Sequence, residues 1–162
     1  MSYRNAASFG KRQEYIAVAE LLRRDFDVYM TLVDDQQIDC VIRLEDGDGP
    51  PRYLDIQIKA RSRDAKQAST FAALQIRQPR DNFWFIFHCE AAGQYWVMPS
   101  KEVVRLSNEN KGGETGDGKN KGKFTIKLAN QNANGEWIPR PKFREFEDAF
   151  EALRIPPRRT RR

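Results

Sequence analysis

Residues 38–44 and 54–60 alternate apolar and polar side chains with period two, the pattern of strands with one buried face. Between them Glu45-Asp46-Gly47-Asp48-Gly49-Pro50-Pro51 is a dense turn signal. The strands therefore pair antiparallel as a hairpin, and centring it on Asp48 sets Asp39 opposite Gln57 and Val41 opposite Asp55. Lys59 lies on the face of Gln57, two residues along. Ile38, Cys40, Ile42, Leu44, Leu54, Ile56, Ile58 and Ala60 go to the other face. One face is thus apolar. The other gathers an acid, an amide and an amine, which is either a solvated sheet face or the beginning of a site.

The same patterning organises the rest of the chain. Residues 8–24 form a helix, with Gly10 marking its start and Asp25 and Asp27 flanking its end. At about 100° per residue, Glu14, Ala17, Val18 and Leu21 share one side, with Tyr15 and Leu22 at its edge. Glu14 is therefore on or beside the apolar stripe; it either curls outward to water or faces the sheet, where it must be paired or bound to metal. Residues 27–33 form a first strand rich in strand formers, and 34–37 turn the chain into the hairpin. After the polar stretch 61–66, residues 67–76 fit helix and loop equally well.

Pro79-Arg80-Asp81-Asn82 is a further turn, and Phe83-Trp84-Phe85-Ile86-Phe87-His88-Cys89 is apolar on both faces, as a central strand buried from both sides requires. Another strand follows at 94–98, then a short helix to about residue 106 with Ser100 as its N-cap. Residues 107–122, with five glycines, bury little surface and read as a flexible loop. A strand at 123–128, a turn at Asn134-Gly135 and a last helix carrying Phe143, Phe146, Phe150 and Leu153 complete the pattern. This predicts one domain over residues 1–155 and a basic tail at 156–162.

Composition refines the picture at three points. The 162 residues make one domain by size, and no apolar run approaches the roughly 20 residues of a membrane span. Cys40 and Cys89 lie in apolar strand-like runs, and two thiols with one histidine argue for reduced core cysteines in a cytoplasmic protein; the N-terminus shows no apolar leader. The net charge is +5, and five of the last nine residues are arginines, Arg158 and Arg159 among them. That tail is either a solvated end or an arm for phosphates.

The order of helix, three strands, variable segment, buried strand and further strand resembles the PD-(D/E)XK nuclease superfamily. Glu14 stands on the helix, Asp39 on the second strand and Gln57-Ile58-Lys59 on the third. The chain looks most like small members with glutamine in the third-strand motif, such as certain intron-encoded homing endonucleases. It is similar to archaeal-type Holliday junction resolvases in the placing of the helix glutamate. The segment Gln94-Tyr95-Trp96-Val97-Met98-Pro99-Ser100 also resembles a strand-to-helix step of the superfamily. The likeness covers roughly residues 10–106.

The resemblance implies an α/β, restriction-endonuclease-like core: a mixed central sheet flanked by helices in αβββαβ order. It implies a DNA endonuclease using Mg²⁺ or Mn²⁺. Asp39, the side-chain oxygen of Gln57, the backbone carbonyl of Ile58 and Glu14 would hold the metal or its water. Lys59 would orient or deprotonate the attacking water and balance transition-state charge.

Two departures stand out: Ile38 replaces the usual proline before Asp39, and Gln57 stands where an acid is usual. Asp55, on the same face, either compensates or is a bystander. Arg61, Arg63 and Lys66 follow the motif within reach of flanking phosphates. His88 and the tryptophans Trp84, Trp96 and Trp137 read as core. A homodimer would supply the two sites that double-strand cleavage needs. The competing classes are a non-catalytic nucleic-acid-binding module on the same fold and an interaction subunit of a defence or mobile-element system.

Overall fold

The computed structural model describes residues 3–33, 37–45, 47, 49–112 and 118–156. The chain runs α1 (Tyr3–Arg23), β1 (Asp27–Met30), β2 (Cys40–Leu44), β3 (Arg52–Arg61), β4 (Thr70–Leu74), β5 (Phe83–Cys89), β6 (Gln94–Pro99) and α2 (Ser100–Leu106). It continues through β7 (Asn108–Glu109), β8 (Phe124–Lys127), β9 (Ala129–Gln131) and β10 (Trp137–Pro139), and closes with 3₁₀ segments Pro141–Phe146 and Phe150–Arg154. Five strands form the central sheet in the order β1-β2-β3-β5-β6. β3 and β5 are parallel and the other neighbours antiparallel, so the fold is α/β with a mixed central sheet.

The hairpin has the register expected from its turn, with Cys40 opposite Ile56 and Val41 opposite Asp55. Its apolar face packs under α1: Ala17, Val18 and Leu21 meet Cys40, Ile42, Ile56, Ile58 and Ile86. The far face is covered by a second sheet, β4-β8-β7, through Phe71, Leu74 and Ile126 against Phe85 and Phe87. β5 feeds both cores, since Trp84 and Ile86 join the α1 side while Phe83, Phe85 and Phe87 join the other. Each such side chain contributes about 1.5–3 kcal/mol through burial.

Several expectations are corrected. α1 begins at Tyr3, so Gly10 lies inside it. Residues 67–76 contain a strand, β4, and the αβββαβ order therefore departs at its second helix: the crossover from β3 to β5 runs through β4. Ser100 does not cap α2; its hydroxyl is buried and exchanges hydrogen bonds with the backbone of Arg80, accepting from N–H and donating to the carbonyl, both at 3.0 Å.

Residues 108–109, expected in a loop, pair with β8, and Asn110 exchanges backbone bonds with Lys123 and Gly122. Residues 113–117 of that loop lie outside the described residues, as do residues 157–162 of the tail, with Arg158 and Arg159. The last helix is two 3₁₀ segments. Phe143 and Phe146 enter one core, Phe150 and Leu153 the other. Between them Asp148 takes a left-handed φ of 47° and donates its N–H to Tyr95, while Glu147 bridges Trp96. A continuous helix would hold all four side chains on one face; the break carries the chain over β6 and covers that sheet edge. Cys40 and Cys89 are buried and free. Among the described residues no helix is long and apolar enough to cross a membrane.

Candidate active site

At Asp39 the chain stops pairing with β3 through its backbone alone. Its N–H still donates to Ile56 O at 2.8 Å, but its carbonyl accepts from Oγ1 of Thr31, the residue after β1, at 3.1 Å. The N–H of Ile58 donates to the carboxylate oxygen Oδ2 of Asp39 at 2.6 Å. A side chain has thus taken the ladder position of a backbone carbonyl, and Asp39 is held buried where the two strands part. N–H and C=O of one strand residue point to the same side, so the Ile58 carbonyl is directed toward that opening.

Gln57 and Lys59, alternating with Ile58, point to the opposite face from α1. Gln57 is buried and Lys59 half-buried, and both line a cleft of ≈ 310 Å³ with Gln37, Ala73 and Lys123. Two of these residues have left-handed backbones without being glycine, Gln37 at φ 62° and Ala73 at φ 55°. Such conformations cost of order 1–3 kcal/mol and persist where the surroundings impose them, which is common at functional clefts.

Glu14 comes from α1, on the face of the sheet opposite Gln57 and Lys59. It is half-buried and ion-paired to Lys11. That hydrogen bond raises the pKa of Lys11, and the field of Asp39 adds to it. Burial pushes the Cys40 thiol up to about 12, helped by the charges of Asp39 and then Glu14. Both carboxylates therefore act on one thiol. Asp39, Glu14, Gln57 and the Ile58 carbonyl each offer a hard oxygen, the donor type that Mg²⁺ takes. Among the described residues no three of His, Cys, Asp and Glu cluster to hold an ion.

The remaining predicted contacts divide. Asp55 is a bystander, ion-paired to Arg80. Arg61 donates from Nε to Thr70 O at 2.7 Å, which ties β3 to β4. Arg63 and Lys66 are exposed. His88 belongs to a network that sequence reasoning missed: its Nδ1–H donates to Oε1 of Gln13 at 2.7 Å, its ring stacks on Tyr95, and burial lowers its pKa. Gln13 is only 1% exposed, more buried than Glu14, and its amide points at Glu90, which accepts from the N–H of Arg63. Its position four residues before Ala17 was the available signal. Lys11, Gln37 and Lys123 carried none, because their places depend on turns and on a strand distant in sequence.

No family model and no curated protein matches the sequence. Among solved structures, the bacterial homing endonuclease I-Ssp6803I matches with a TM-score of 0.57 over 90% of each chain, at 16% identity. The fold is nuclease-like. At that identity the likeness concerns the path of the chain, not the residues it carries.

Proposed function

We propose that this chain is a metal-dependent DNA endonuclease of PD-(D/E)XK type, using Mg²⁺ or Mn²⁺. The observation that carries the reading is the buried Asp39 carboxylate at the parting of β2 and β3, bonded to the Ile58 N–H beside the Gln57–Lys59 cleft. The nuclease-like fold supports it. Asp39, Glu14, the Gln57 side-chain oxygen and the Ile58 carbonyl would hold the cation. When bound, that ion supplies Lewis acidity and a more acidic water. Lys59 orients the attacking water and balances charge gathering on the phosphate. The Ile58 N–H fixes the Asp39 carboxylate so that it need not reorganise. Two copies would provide the two sites needed to cut both strands.

The test is cleavage of supercoiled, linear and branched DNA with Mg²⁺ or Mn²⁺. Wild type cleaves, chelation stops it, and Asp39→Ala and Lys59→Ala each lose activity; equal cleavage by all three proteins sinks the assignment. A second reading, a non-catalytic DNA-binding module, is favoured by Gln57 in the acid's place and by the Lys11–Glu14 pair, which offsets one of the two negative charges. It predicts salt-sensitive DNA binding indifferent to Mn²⁺ and to Asp39→Ala. Calorimetric titration with Mn²⁺ separates the two.

A further inference from the structure

The candidate cleft does not end at β4. A bulge between Phe71 and Leu74 turns Ala72 and Ala73 outward, both exposed. Their small side chains leave the surface open on the far side. There Ala72, Ala73 and Lys123 also line a shallow recess with Asn110, Asn120 and Thr125. Thr125 in turn lines a larger groove, ≈ 530 Å³, with Thr70, Lys66, Lys127, Gln131 and Trp137. The three hollows share residues end to end, from Leu74 beside the cleft to Thr70 in the groove. The path follows the length of β4, about 15 Å, or roughly four base pairs at 3.4 Å each.

Among the described residues its charge is of one sign: Lys59, Lys123, Lys66 and Lys127 lie along it, and no described carboxylate lines any of the three hollows. Other hollows differ: one holds Asp25, Asp27 and Glu45, another Glu102 and Glu145. Between the lysines stand groups that both donate and accept, the amides of Gln67 and Gln131 and the hydroxyls of Thr70 and Thr125. Lysines position a phosphate backbone, and amides and hydroxyls read base edges.

We infer that the outer sheet β4–β8, with Trp137 at its end, is the track that holds duplex DNA on one side of the cut and reads it at Gln67 and Gln131. This rests on the chain acting on DNA, and not on its being catalytic. Lys123 engages the phosphates nearest the cleft, and Lys66 and Lys127 those in the groove.

Binding of a 30-base-pair duplex, followed by fluorescence anisotropy without divalent metal over a range of salt, tests this. Wild type and Arg23→Ala, on the exposed side of α1, bind alike. Lys66→Ala/Lys127→Ala melts like wild type but binds at least about 10-fold more weakly, and its salt slope falls by about 2, close to one per lost phosphate contact. Hydroxyl-radical protection on one side of the cleft disappears in that variant, and Gln131→Ala evens out affinities for different sequences. An unchanged slope and footprint in the double variant, or tighter binding of RNA of the same sequence, overturns the track while leaving a DNA endonuclease standing. Failure of wild type to bind DNA at all overturns both.

Discussion

The two faces of β3 are built from alternating residues of one strand, yet they are held by different rules. Leu54, Ile56 and Ile58 share one dry core under α1, where what counts is apolar area and volume. On the other face every polar group has its own destination. Asp55 goes to Arg80, Arg61 to the carbonyl of Thr70, and Gln57 and Lys59 to the cleft. The apolar side tolerates exchange within a volume; the polar side requires a particular partner at a particular angle, because hydrogen bonds are directional and an unmet buried group is costly. A site can be grafted onto the second face without disturbing the first.

The sharpest way to break that division is at Asp39, which serves both. Asp39→Ala should lower cleavage by at least about 10³-fold, the several kcal/mol that a metal site supplies. It should also lower stability by about 1–3 kcal/mol, since the Ile58 N–H loses its acceptor. Asp39→Asn keeps an acceptor and should recover most of the stability without the cleavage; urea melts and cleavage rates on the same samples separate the two. Ile56→Ala should do the reverse, costing about 2–5 kcal/mol of stability while the rate per folded molecule stays near that of wild type. Arg61→Ala should cost about 1–2 kcal/mol by releasing β4, yet change DNA affinity less than Lys66→Ala does.

The Gln13–His88 pair gives a smaller effect with a defined sign. Burial lowers the pKa of His88, so the unfolded chain binds the proton more readily than the folded one. Stability therefore falls as pH drops below the ordinary histidine value of 6.5 toward the depressed folded value, and is regained on returning above it. His88→Gln should flatten that part of the profile, measured by denaturation midpoints between pH 7.5 and about 5. The smallest expected change is at the bulge: Ala73→Gly relieves a left-handed φ and should lie within about 1 kcal/mol of wild type on the stable side, while Ala73→Val destabilises.

Legibility followed the range of the interactions involved. The hairpin register was readable because a turn and two alternating strands lie within 23 residues, 38–60. β5 was readable because burial on both faces leaves an unbroken apolar run. β4 was not: Ala68, Phe71, Leu74 and Ile76 mix helical and strand spacings, and the partner β8 lies some fifty residues on. The buried phenylalanines of the C-terminal segment were found, but not the break at Asp148, which exists only because β6 is an edge to be crossed.

The face that Gln57 and Lys59 share, and the acid opposite Gln57, could be read from the alternation and the turn. Which of their neighbours matter was decided in three dimensions. Lys11 comes from a helix, Gln37 from a strained turn, Ala73 from a bulge and Lys123 from the residue just before β8. Local sequence determines which face a side chain takes, because backbone geometry sets the period. Only packing between distant segments determines what that face meets, because directional partners come from chain the local pattern cannot see.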